Sequence, residues 1–284
     1  MGIVNLLFGT VVDVILLPFR GASPWFGLAA VSLLTALLML EVYKLTSNQA
    51  AIRRAKDRIK AHLLELRLFK DSMRVTLRAQ AAILKANLSY LAANLKPLLI
   101  MIVPLVLILA QLSLWFDRAP LEPGEETLVK VCLEEKADLV SLPIELETSP
   151  GLEITSPPVR IPDEHEVAWR LKATAAGPGS LTLRVGGLTL VKSVAVGGRP
   201  LTRVSPLASR GSLWKQALYP GERALAAGTP VRSIEILYPA KSLSAFGLRV
   251  HWLVAYLILS IVFGFALKGV SRSRFDSRNV KGFS

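Results

Sequence analysis

Three stretches of the chain carry almost no polar residue for the length of a membrane crossing. Residues 25–43 are apolar until Glu41. Residues 98–116 hold no charge and only Gln111 and Ser113 as clearly polar positions, and residues 250–267 hold His251 at their mouth and Ser260 near their middle. At about 1.5 Å per helical residue, some 18 residues match a hydrocarbon core about 30 Å thick. Trp25, Trp115 and Trp252 sit at the ends of these runs, where interfacial aromatics collect. The pattern predicts three transmembrane helices.

Residues 1–20 read differently. Asn5, Gly9 and Asp13 recur every fourth position as a thin polar stripe on an apolar helix that Pro18 ends. No basic stretch precedes the apolar residues and no small-residue cleavage pattern follows, so a cleaved signal peptide is not expected. With an aspartate in its middle the segment is expected to lie in the membrane interface, a fourth membrane segment being the alternative.

Residues 47–95 contain neither Pro nor Gly and are rich in Ala, Leu, Lys and Arg. Ile52, Ile59, Leu66 and Met73 recur every seven residues, with Ala55, Leu63, Phe69 and Leu77 three or four positions later, a helical period. Ser47 or Asn48 can cap the start. A helical run flanked by two spans must return to the bilayer, so a coiled-coil-like hairpin is expected, with its bend at Lys70-Asp71-Ser72 and its second arm continuing through Lys96-Pro97 into the membrane.

Beyond residue 117 the period changes to two. Strand-like runs at 127–133, 140–147, 167–173, 181–185 and 189–196 are separated by Pro- and Gly-containing turns. They predict an antiparallel β-sandwich, immunoglobulin-like in size, over 121–198. Residues 199–249, rich in Pro, Gly, Trp and Tyr, read as an irregular membrane-surface segment. Cys132 falls in an apolar strand pattern and is expected in the core.

Composition sharpens this reading. The chain of 284 residues is 52% hydrophobic and only 19% charged, with mean hydropathy +0.45, yet carries a net charge of +13. A soluble domain would hold about 25% charged residues, and a soluble nucleic-acid binder has no place for so much apolar surface; specific DNA binding is not expected. The charge is also unevenly placed: +9 over residues 44–96, +4 over 268–284, +1 over 117–249 and −1 over 1–43. By the positive-inside rule the hairpin and the basic tail 268–284 are cytoplasmic, while the N-terminus and residues 117–249 lie outside. The expected localisation is a bacterial or archaeal cytoplasmic membrane. The exposed face of the hairpin (Arg53, Arg54, Lys56, Arg58, Lys60, Arg67, Arg74 and Arg78) is a candidate contact for anionic lipid or for a ribosome.

Enzymatic signatures are missing. The single cysteine excludes a multi-cysteine metal site, His62, His165 and His251 are scattered, and no HExxH, GxSxG or P-loop occurs. No catalytic residue, metal or cofactor is expected, and the acidic turn Asp163-Glu164-His165-Glu166 reads as a solvated loop.

The order of elements, together with residues 37–44 running into the basic helix and Asn94-Leu95-Lys96-Pro97-Leu98-Leu99-Ile100-Met101-Ile102-Val103-Pro104 leading the second span, resembles the Oxa1/YidC insertase superfamily. It is most similar to the branch of archaeal YidC-like proteins, transmembrane-and-coiled-coil proteins and ER membrane complex subunits. The likeness covers residues 25–118 and 250–270. It implies an α-helical membrane protein with an inserted extracytoplasmic β domain that passes hydrophobic segments of nascent proteins through a polar intramembrane groove. It implies the ribosome and nascent membrane proteins as partners beside the bilayer. The family usually carries a positive residue in the groove; here no Lys or Arg lies mid-span. Ser32, Thr35, Lys44, Lys96, Gln111, Ser113 and Ser260 are the candidate lining. The competing expectation is a membrane scaffold whose outer β domain binds an extracytoplasmic partner.

Overall fold

A computed structural model of the protein describes residues 2–69, 73–135, 139, 142–210, 220–222, 225–226, 228–245 and 247–280. The architecture is mixed: helices α1 (Gly2–Leu16), α2 (Pro24–Thr46), α3 (Gln49–Leu68), α4 (Met73–Phe116) and α5 (Trp252–Val280), with antiparallel sheets between α4 and α5. Two of these helices, α2 and α4, are long and apolar enough to cross a membrane; the apolar part of α5, Trp252–Lys268, is shorter. The chain divides into two compact units. One comprises Met1–Leu33 with Val106–Val262, the other Leu34–Leu105 with Phe263–Ser284.

In the second unit the expected helical arms form. The Asn48 side chain accepts from the Ala51 N–H at 3.0 Å and starts α3. The expected bend at 70–72 lies outside the described residues. Helix α4 runs unbroken from the hairpin arm through Lys96, Pro97 and Pro104, although each proline lacks the N–H that would bond the carbonyl of Ala93 or Ile100. The packed faces differ from the seven-residue series. Ile52 and Ala55 are buried on α3, as are Ala79 and Ala86 on α4, but Leu63, Phe69, Met73 and Leu77 are exposed. On α4 the small Ala79 and Ala86, themselves seven residues apart but in another phase, provide the buried positions instead. Lys56 lies over the Tyr90 ring at 5.7 Å, and the Tyr43 hydroxyl donates to Asn94.

In the first unit, strands β1 (Glu126–Leu133), β3 (Leu152–Ile154), β4 (Val159–Ile161), β5 (Glu166–Ala173), β8 (Leu207–Ser209) and β9 (Val231–Ile236) make one antiparallel sheet. Its order is β3-β5-β1-β9-β8, with β4 also pairing β5. Strands β2 (Ile144–Thr148), β6 (Gly177–Val185) and β7 (Leu188–Val196) make a second, in the order β2-β6-β7, and β10 (Leu243–Ala245) pairs with β11 (Leu248–Val250). Alternate residues of the two larger sheets bury one cluster, including Val129, Val131, Trp169, Leu171, Leu183, Val194 and Ile234.

Three expectations are corrected here. The sheet does not end at residue 198, because β9 lies beside β1, with Val131 opposite Ile234, and supplies Val231, Ile234 and Ile236 to the shared core. Residues 199–249 are therefore partly the centre of a sheet. Cys132 faces away from the core, half-buried, because its neighbours Val131 and Leu133 take the inward positions of a period-two strand. The third run begins as strand, not helix: Val250 ends β11 and α5 starts at Trp252. Of the expected strand 140–147, Val140 and Ser141 are outside the described residues.

Candidate functional site

The polar groups of the apolar helices converge at their ends within the first unit. Helix α1 approaches α4 closely because Gly9 has no side chain: a Cβ there would lie 3.4 Å from the Gln111 side-chain oxygen. Gly27 on α2 plays the same part, a Cβ there meeting Leu16 at 3.0 Å and Leu201 at 3.3 Å. Small residues of this kind let helices approach backbone to backbone. Asp13, the unexplained acid of α1, accepts from Arg203 at 3.0 Å. Arg20, just after α1, stacks over the Trp115 ring at 5.1 Å, a cation–π geometry. The polar stripe is thus consumed by packing at Gly9 and Asp13; the side chain of Asn5 is outside those described.

Segment 197–206 ties these helix ends to the sheets. The Val204 N–H donates to the Leu114 carbonyl at 2.7 Å near the end of α4. Lys241 donates to the carbonyls of Pro200 at 2.7 Å and Trp115 at 3.2 Å, satisfying an acceptor that a helix C-terminus leaves open. Lys192, fully buried on β7, donates to the Ser205 carbonyl at 2.8 Å and pairs with Glu222 at 2.9 Å. Asp117 receives the Trp252 indole N–H at 3.1 Å and the Arg118 guanidinium at 3.1 Å. These contacts form a polar girdle around the ends of α4 and α5.

Burial shapes its electrostatics. Desolvation lowers the ammonium of Lys192, opposed by Glu222, and raises the Tyr238 hydroxyl to about 12. Lys241, with no carboxylate partner among the described residues, is lowered to about 8 by burial. Its folded value lies below the unfolded value of about 10.4, so the charged form is the one the fold disfavours. Between the two values the unfolded chain binds the extra proton, and stability rises with pH. The melting midpoint of the full chain in detergent is expected to climb from pH 8 towards pH 10, more steeply than in Lys241→Gln; parallel slopes would refute it.

Beside the girdle opens a cleft of about 860 Å³. Val106, Leu109, Ala110 and Ser113 line one wall from a single face of α4, β9 and Tyr238 line another, and Asp117, Arg118 and Glu235 bring charge to it. The cleft joins an apolar helical wall to a polar rim.

The structure separates the sequence-derived candidates. Ser113 lines the cleft, its hydroxyl donating to the Ala110 carbonyl at 2.8 Å. Gln111 and Ser32 are buried, Gln111 beneath Gly9; Thr35 is buried on α2, three residues along from Ser32. The hydroxyls of Ser32 and Ser260 are enclosed without a hydrogen-bond partner among the described residues. Lys44 and Lys96 are exposed, and Lys44 pairs with Glu41 at 2.7 Å. The eight candidate arginines and lysines of the hairpin are all exposed. Arg203, Lys192 and Lys241 were not among the candidates; Arg203 and Lys241 reach partners 190 and 126 residues away, Lys192 reaches partners 13 and 30 residues on, and the only local signal was an unexplained acid at Asp13. Among the described residues no cluster of three or more His, Cys, Asp or Glu is placed to hold a metal ion. Comparison of the chain with protein-family models, curated proteins and solved structures returns no match.

Proposed function

We propose that the protein is an integral membrane insertase of the Oxa1/YidC type, with α2, α4 and the apolar part of α5 as three spans and the two packed sheets as an outer β-sandwich. The observation that carries this reading is the cleft, apolar along α4 and charged at Asp117, Arg118 and Glu235. Polar residues inside a bilayer are costly and tend to be functional, and Ser32, Thr35 and Gln111 are held buried in otherwise apolar helices. An apolar segment seated against α4 would bring its polar flank to the rim, shortening the low-dielectric path that the flank must cross. The hairpin, with its net charge of +9 over residues 44–96, faces the cytoplasm in this orientation.

A scaffold role is the second reading, favoured by the girdle, which fixes segment 197–206 to the ends of the helices. One experiment separates the two. Proteoliposomes containing the full chain are offered a reporter with one apolar segment and a short polar tail. Ser113→Trp, which fills the cleft from a half-exposed position, is expected to slow insertion about tenfold, equivalent to about 1.4 kcal/mol on the barrier. Unchanged insertion by this variant, folded normally, would remove the insertase reading and leave the scaffold.

A further inference from the structure

Helix α4 carries a second repeat that the fold leaves uncovered. Leu77, Leu84, Leu91 and Leu98 recur at seven-residue intervals, and Ala81, Leu88, Leu95 and Ile102 recur between them. The alternating steps of four and three are those of a coiled-coil a/d seam, with leucine at four successive d positions. Each large side chain of this seam is between 44% and 66% exposed, and Ala81 is exposed as well. The buried positions Ala79 and Ala86 fall at f, on the opposite side of the helix. The seam is therefore not the face that packs within the unit.

We propose that this seam is a homodimer interface, in which α4 of one copy pairs in parallel and in register with α4 of a second copy. Three arguments select a second copy as the occupant. An a/d repeat is self-complementary, since the knobs of one helix fit the holes of an identical helix. The seam spans about 38 Å at 1.5 Å per residue, and its eight exposed side chains are on the scale of the roughly 800 Å² that each partner gives to a specific interface. The flanking charges are compatible with the parallel arrangement. In register, Gln80 faces Lys85 of the second copy and Asn87 faces its Ala92, with no like charges opposed. Antiparallel pairing over the whole seam would set Arg78 against Leu99 and Lys85 against Ala92, so the charges do not separate the two arrangements. Two copies sharing a bilayer also share an orientation, which adds effective concentration to a seam of modest length. That last argument, which selects parallel over antiparallel pairing, rests on the membrane reading of α4, whereas the repeat and its area do not.

The test places single cysteines in the full-length chain on a Cys132→Ser background, followed by thiol oxidation in membranes. Leu84→Cys and Leu91→Cys are expected to give a covalent species of twice 30.9 kDa, and Ser89→Cys, exposed but off the seam, to give little. Adding Leu84→Asp to Leu91→Cys is expected to reduce the dimer about tenfold, as a desolvated charge in an interface does, with helix content unchanged by circular dichroism. Equal cross-linking at Ser89, an adduct of another mass, or no dimer at either leucine overturns the proposal. An unaffected dimer in the aspartate variant overturns it also. The outcome is independent of insertion activity.

Discussion

Replacing Lys192 by methionine lowers the stability of the full chain by about 3–5 kcal/mol, the usual cost of leaving one partner of a buried ion pair alone. The ammonium is 1% exposed and donates to the Ser205 carbonyl as well as to Glu222. Its loss orphans a carboxylate that is itself only 16% exposed, with the Ser193 hydroxyl as its remaining partner. It also frees the segment that Arg203 and Val204 hold against the helices. On a unit of this size the loss corresponds to a fall of about 6–20 °C in melting midpoint, read from tryptophan fluorescence in detergent. The double variant Lys192→Met with Glu222→Leu should recover most of it, because burying two apolar groups in place of an ion pair is close to neutral. Additive losses in the double variant would show that the pair was not coupled.

Trp115→Ala is the second large effect, about 3–5 kcal/mol for emptying the space of a large buried aromatic. Trp115 is completely buried near the end of α4, and its ring also carries the Arg20 guanidinium. The Lys241 contact uses the backbone carbonyl and survives the change, so the loss isolates packing and cation–π energy. Trp115→Phe should cost less than about 1.5 kcal/mol as a near volume-conserving change, helped by removal of an indole N–H that is enclosed without a partner. Equal costs for alanine and phenylalanine would show that filling the ring volume is not what the site requires.

Much of the fold was legible because its signals are local. Apolar runs marked α2 and α4, the cap at Asn48 marked α3, and alternation marked β1, β5, β6 and β7. What escaped depends on distance along the chain. Strand β9 is six residues between Pro230 and Pro239, too short to stand out from turn-rich surroundings, yet it lies beside β1 across about a hundred residues of chain. The Asp13–Arg203 pair joins residues 190 apart, and no periodicity connects them. Ser113, Gln111 and Ser32 were identifiable as polar positions in apolar runs. The partition between cleft and packed interior turns on where Gly9 lets α1 lie, which only the assembled fold decides. Lys44 and Lys96, at the ends of apolar runs, are exposed, as long cationic side chains there gain by reaching solvent.

The pairing of Asp13 with Arg203 sets a timetable for assembly. At about 5–20 residues per second of synthesis, the 190 residues between them take about 10–40 s to make. Throughout that interval the first helix carries an unneutralised carboxylate. Gln111, Trp115 and Leu201, against which Gly9, Arg20 and Gly27 fit, also arrive late, and Ser244, whose carbonyl accepts from Trp25, arrives later still. Helix α1 is made well before the residues it packs against and is among the last elements to reach its final contacts.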